Sequence, residues 1–142
     1  MPKTIIEKIF STKSGQDARA GSTVWIDLDI RSARDFGGAN VVKAFEKEYQ
    51  GQKVADVNKT YFTFDCVVPA NTIPYANNQQ IIRTFAKKQG VRVFDVDAGI
   101  GSHVLIEQGL VLPGMTIVGT DSHLNIMGAV GAFGQGMGDT DI

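Results

Sequence analysis

Apolar positions along this chain follow two rhythms, and the switches between them outline its elements. Ile5, Ile6, Ile9 and Phe10 recur at helical spacing, Thr4 and Glu7 have the capping-box pattern, and Gly15 supplies a stop. Residues 23–30 change to alternation. Val24, Ile26, Leu28 and Ile30 share one face, and Thr23, Trp25, Asp27 and Asp29 share the other. That pattern predicts a strand with one wetter face, near a sheet edge. Helical spacing returns over 40–50, where Val41, Phe45 and Tyr49 lie four apart and Gly51 closes the element.

A strand is expected over 60–65, then a connection, because Pro69 disfavours helix at Val68. Residues 76–89 read as a helix burying Ile81, Ile82 and Phe85, with Lys87 and Lys88 favouring its C-terminal dipole and Gly90 as a left-handed cap. A strand over 91–96, a short helix over 105–110 closed by Gly109, a Pro113-Gly114 turn and a strand over 115–119 follow. Five glycines then fall among residues 128–138. Each costs a helix about 1 kcal/mol relative to alanine. The expectation is a helix start packed very closely on another backbone or a ligand.

Strands alternating with helices through short connections predict an α/β fold, an α/β/α sandwich around a mostly parallel sheet. Its 142 residues make one domain, 1–142. No glycine stop or cap follows the last helical signal before Asp139, Thr140, Asp141 and Ile142, so the chain reads as cut and not finished.

Composition narrows the partners. Apolar residues make 43% of the chain and charged ones 20%, which describes an ordinary globular domain. With 14 basic and 15 acidic residues and no basic stripe, neither nucleic acid nor an anionic membrane is expected as a partner. No apolar stretch is long enough to span a bilayer, and the amino terminus lacks a secretory apolar region. A single cysteine, Cys66, forms no internal disulfide, which fits a reducing cytoplasm.

Chemistry gathers where the predicted strands end. The run 60–65 ends in Asp65-Cys66. The run 91–96 ends in Asp97, with Gly99-Ile100-Gly101-Ser102-His103 close behind. The run 115–119 leads into Thr120-Asp121-Ser122-His123. Capping accounts for each carboxylate singly. It does not account for both histidines and the only cysteine sharing the set. In an open parallel sheet, ligands are received outside the carboxyl ends of strands, so these residues predict one cleft.

Other motifs fail or stay open. Gly99 and Gly101 begin a dinucleotide fingerprint, but the third glycine position holds Val104. Asp121, Ser122 and His123 are neighbours and cannot form a linear hydrolase triad among themselves. Asp121, His103 and His123 suit a divalent metal chemically, without spacing that demands one, and no metal ligand is assigned. Cys66 reads first as a small half-buried hydrophobe.

The segments Glu107 through Gly114, Val118 through His123 and Gly128 through Phe133, with Asp65 through Ala70 and Thr4 through Ile9, together resemble the aconitase family of hydro-lyases. The likeness runs over essentially the whole chain and is most specific in its last third. It implies an aconitase-type first domain and reversible dehydration of hydroxy acids bearing two or three carboxylates. It also implies a [4Fe-4S] cluster, histidine–carboxylate pairs, and a serine carried by a swivelling domain or a separate small subunit.

Carried onto this sequence, the resemblance places Asp65, His103, Asp121 and His123 in proton handling and Arg34, Cys66, Ser102 and Ser122 against substrate. Asp121 is expected to orient His103, while His123 awaits a carboxylate from elsewhere. Three departures stand out. Cys66 occupies the partner position of the family's Asp-His pair. His103 sits one residue beyond the family's imidazole position, which falls on Ser102. Arg34 replaces an uncharged polar residue and could receive an extra substrate carboxylate. The cluster cysteines of the family fall outside this chain, so the 142 residues alone are expected to be inert. A different class also remains open, a small-anion or phosphate module built on backbone N–H groups at helix N-termini.

Overall fold

The computed structural model describes residues 2–142. Helix α1 (Ile5–Ser14) begins with the predicted capping box, Thr4 Oγ1 accepting from the Glu7 amide and Glu7 reaching back to the Thr4 amide, and ends at left-handed Gly15. The sheet strands are β1 (Ile30–Arg34), β2 (Thr60–Thr63), β3 (Arg92–Phe94), β4 (Thr116–Gly119) and β5 (Phe133–Gly136), ordered β3-β2-β1-β4-β5 and paired in parallel throughout. Connecting them are α2 (Gly38–Glu48), α3 (Ile73–Gln89), α4 (Gly101–Glu107) and a 3-10 segment, Leu124–Val130.

Successive residues of a strand face opposite ways, and the core divides accordingly. Tyr61 joins Ile30, Phe94, Leu105, Ile117 and Met127 on one side. Its neighbour Phe62 joins Ala33, Val42, Ile82 and Phe85 on the other. The result is the expected three-layer α/β/α arrangement. The chain builds outward from β1 to β2 and β3, then returns to lay β4 on the other flank of β1. The strand order therefore reverses at β1, the point at which open parallel sheets receive ligands at the carboxyl ends of their strands.

Four expectations need correction. The first strand is Ile30–Arg34, not 23–30, and Trp25 in the earlier segment is 92% exposed. Alternation there reports an irregular segment with Val24, Ile26 and Leu28 half-buried. The true strand is central, covered on both faces, and so shows no alternation. Helix α3 starts three residues early, where Thr72 Oγ1 caps the Tyr75 amide and Pro74 sits in the first turn. Helix α4 starts at Gly101 instead of 105, so His103 lies inside a helix.

The glycine-rich end is not a helix. It forms the 3-10 segment, turns at left-handed Gly131 (φ 74°) and ends as edge strand β5. The expected close approach is present. A Cβ on Gly134 would overlap the Leu124 carbonyl, and one on Gly136 would lie 2.7 Å from the Asp121 oxygen. Bare glycine lets β5 lie against the turn that carries Asp121, Ser122 and His123.

Candidate active site

Arg34, the last residue of central β1, stands between the ends of β2 and β4. Its Nε donates to Asp65 Oδ1 at 2.7 Å and its Nη1 to Asp121 Oδ1 at 2.9 Å. Its main-chain N–H donates to Thr120 Oγ1 at 2.9 Å, and the Thr120 N–H returns to the Ser32 carbonyl at 3.1 Å. Three strand ends are thus tied at the order reversal. The acid side chains are nearly closed to solvent, 3% for Asp65 and 5% for Asp121, while Arg34 keeps 22% exposure. Burial works against the guanidinium charge, but Asp65 and Asp121 outweigh it and hold Arg34 above its ordinary value.

Asp121 Oδ1 also accepts the His123 main-chain N–H at 2.9 Å and lies 3.3 Å from His123 Nδ1. That contact favours the tautomer with the proton on Nδ1, leaving Nε2 outward. The His123 side chain is 82% exposed, and Ser122 beside it is exposed as well. Asp65 Oδ2 accepts the Gly101 N–H at 2.6 Å, capping α4, which has no side-chain cap of its own. A Cβ on Gly101 would collide with Thr63, so glycine is what permits this approach.

Beneath lies a residue the sequence reading missed. Asp35 is wholly buried. Its Oδ1 accepts the N–H groups of Asp65 (3.2 Å) and Cys66 (3.1 Å), and its Oδ2 accepts Gln79 Nε2 at 3.1 Å and the Val67 N–H at 3.5 Å. Gln79 also donates to the Val67 carbonyl at 3.0 Å. Asp35 thereby shapes the turn that presents Asp65 and Cys66. With β1 placed correctly, Arg34-Asp35 reads as one more strand ending in a carboxylate, and that is the signal that could have found it.

The expected set is brought together only in part. Asp65, Cys66, Asp121, Ser122, His123 and Arg34 are linked to one another at the ends of β1, β2 and β4. Ser102 is buried at the start of α4, whereas His103 is exposed one step further round, about 100° in a helix. Among the described residues the His103 side chain makes no hydrogen bond or ion pair, so the expected Asp121–His103 pairing gives way to Asp121–His123. Asp97 is exposed outside the cluster. Instead Asp95, directly after β3, forks with Arg83 of α3 at 2.7 and 2.6 Å, which holds its carboxyl below the ordinary range. Arg34 faces two carboxylates of its own chain.

One group offers metal-like spacing: ligand atoms of Asp35, Asp65 and Cys66 lie within 4.8 Å of one another. Their electrons are already engaged. Asp35 serves N–H donors, and Asp65 serves Arg34 and Gly101. The Cys66 thiol lies 3.6 Å from Asp65 Oδ1 and is pushed up to about 11, by burial first and then by Asp35 and Asp65.

A family model of the aconitase family (aconitate hydratase) matches residues 7–142. The chain belongs to the aconitase family. It is 41% identical over 144 residues to a 3-isopropylmalate dehydratase large subunit 1 of Archaeoglobus fulgidus and 43% over 143 residues to that of Methanopyrus kandleri. It is 42% identical over 142 residues to the homoaconitase large subunit of Thermus thermophilus. Each alignment covers 100% of this chain and 34% of the relative, so the chain spans about a third of the length of the curated relatives it matches.

The iron–sulfur cluster that the aconitase family implies does not fit the residues present. A cluster is held by about four thiolates, or three where one iron stays open, and this chain has one cysteine, protonated at neutral pH. The thiol makes a direct prediction. Because only the thiolate reacts, alkylation of Cys66 by iodoacetamide should be about 100-fold slower at pH 8 than that of an unperturbed thiol. The rate should climb roughly tenfold per pH unit up to pH 10, followed by mass spectrometry. A plateau above pH 9 would contradict the placement.

Proposed function

We propose that this chain supplies the first α/β domain of an aconitase-family hydro-lyase that dehydrates and rehydrates a 2-hydroxy di- or tricarboxylate, with 3-isopropylmalate, in leucine biosynthesis, as the leading substrate. The observation that carries the reading is the Asp121–His123 pair opening at the reversal of strand order, in a chain of this family. Homoaconitase- or aconitase-type and 2,3-dimethylmalate-type substrates are the alternatives within the same chemistry.

In this reading the buried Asp121 carboxylate keeps a proton on Nδ1 and fixes the orientation of the ring. The outward Nε2 of His123 exchanges a proton with the substrate or its leaving hydroxyl. Ser122 Oγ offers a hydrogen bond to a substrate oxygen. Asp65 braces the turn into α4, with Cys66 and Ser102 on the wall nearby and His103 at the outer edge. The cluster, its thiolates and a small-subunit or swivelling-domain partner belong to polypeptide outside these residues. The setting proposed is the cytoplasm. Among the described residues no helix is long and apolar enough to cross a membrane.

The test is an anaerobic assay of the full-length large subunit, reconstituted with iron and sulfide and supplied with its small subunit, against a panel of 2-hydroxy di- and tricarboxylates. Turnover of 3-isopropylmalate is expected, with none from the 142-residue chain alone. Failure with every acid of the panel, or turnover by this chain alone, would overturn the reading.

A further inference from the structure

We propose that Arg34 is a positioning residue, a clamp across the reversal of strand order that fixes Asp121 against His123, and that it does not serve as the receptor for a substrate carboxylate. The inference deepens the hydro-lyase reading and rests on it for its functional meaning. Its geometry stands independently.

Arg34 is already engaged on both sides. Nε is bound to Asp65 Oδ1 and Nη1 to Asp121 Oδ1, at 2.7 and 2.9 Å. One cation between two nearly buried carboxylates leaves the assembly negative in excess, a poor welcome for a third anion. Removing the guanidinium would strand both acids, a large penalty where partners are desolvated. The oxygen of Asp121 that takes Nη1 is also the oxygen that takes the His123 main-chain N–H and faces its Nδ1. The position of the guanidinium and the orientation of the imidazole are therefore set at one atom. The main-chain bond from Arg34 to Thr120 Oγ1, one residue before Asp121, ties the same two strand ends a second time.

A further consequence concerns charge. Within hydrogen-bond reach of the His123 ring lie Asp121 Oδ1 and Ser122 Oγ on its own turn; Arg34 from β1 is bound to that same Asp121 oxygen, and Asp65 and Cys66, from the loop after β2, act on Arg34 in turn. Arg34 carries a permanent positive charge, so it offsets part of the pull that Asp121 exerts on a His123 proton. Removing Arg34 strengthens that pull. Removing Asp65 weakens it, because Arg34 then answers to Asp121 alone.

The test is an NMR titration of the two imidazoles in the full chain, assigned with His103→Gln and His123→Gln variants. Arg34→Met should raise the proton affinity of His123 about three- to tenfold, a midpoint shift of roughly half to one unit. Asp65→Asn should shift it the opposite way, and Arg34→Lys should restore most of the wild-type value. His103, which lies outside the clamp, should stay in place throughout. A purely structural role would move neither midpoint selectively. If Arg34→Met does not fold, the downward shift in Asp65→Asn carries the test by itself. An unmoved His123 in any folded variant lacking one clamp member, or shifts of the same sign in Arg34→Met and Asp65→Asn, would overturn the proposal. No turnover enters this measurement, so failure of the hydro-lyase assay with the shifts intact would sink only the enzymatic reading.

Discussion

Replacing Asp35 by alanine should cost the domain about 3–5 kcal/mol, a large loss for a single side chain that no ion pair holds. The side chain has no solvent exposure, so water cannot take over its role. Three amides, those of Asp65, Cys66 and Val67, would lose their acceptor, and the carboxamide of Gln79 would keep only the Val67 carbonyl. An orphaned buried donor costs about 1–3 kcal/mol, and the 3.5 Å bond from Val67 contributes least. Asparagine keeps one acceptor oxygen but turns an NH2 group toward N–H donors, so Asp35→Asn should lose less than alanine and still more than about 1 kcal/mol.

Urea unfolding of the two variants checks this, with the midpoint falling and the slope unchanged. The loosened turn should also expose Cys66, so its alkylation at fixed pH should rise in the same order as the stability loss. A cost below about 1 kcal/mol for alanine would mean that the turn after β2 is held by other contacts.

The elements most legible in the sequence were those whose punctuation is local. Thr4 and Glu7 fixed the start of α1, and Gly15 and Gly90 marked helix ends where positive φ favours glycine. Central β1 was hidden for a tertiary reason. Ile30, Arg31, Ser32, Ala33 and Arg34 are flanked by strands on both edges and by helices on both faces, and no period of two survives such burial. Losing β1 had a direct cost at the site, because the Arg34-Asp35 pair then fell in a supposed loop. Once the strand is placed, a pattern appears. A carboxylate stands within three residues after the end of every strand: Asp35, Asp65, Asp95, Asp121 and Asp139.

Which of these acids share a centre could not be read from the chain, since that depends on strand order. Asp65 and Asp121 flank β1 and meet through Arg34. Asp95, one strand further out, turns to Arg83, and Asp139 at the far edge accepts from Asn40 Nδ2 at 2.8 Å. The glycine-rich end misled for a similar reason. Its glycines signal close approach, but spacing does not say whether a helix or an edge strand makes that approach. Here β5 makes it, against the turn that holds Asp121.

In the hydro-lyase reading, His123→Gln in the full-length enzyme should lower kcat by about 10²–10⁴-fold while leaving unfolding essentially unchanged. The separation of the two readouts follows from exposure: an imidazole 82% open to solvent contributes little packing, so its loss registers in proton transfer. Asp121→Asn should be nearly as damaging for a different reason. Its amide can donate to Nδ1, which drives the ring proton to Nε2, so a base is no longer presented outward. Because Asp121 is buried and also holds Arg34 and the His123 N–H, this variant should lose stability as well, by about 1–3 kcal/mol. The two residues act as a unit, so the double variant should be hardly slower than His123→Gln alone. Steady-state kinetics on the three variants, with unfolding curves beside them, provides the check. Retention of kcat within about threefold in His123→Gln would remove His123 from proton transfer and leave the Asp121 pair with a structural role only.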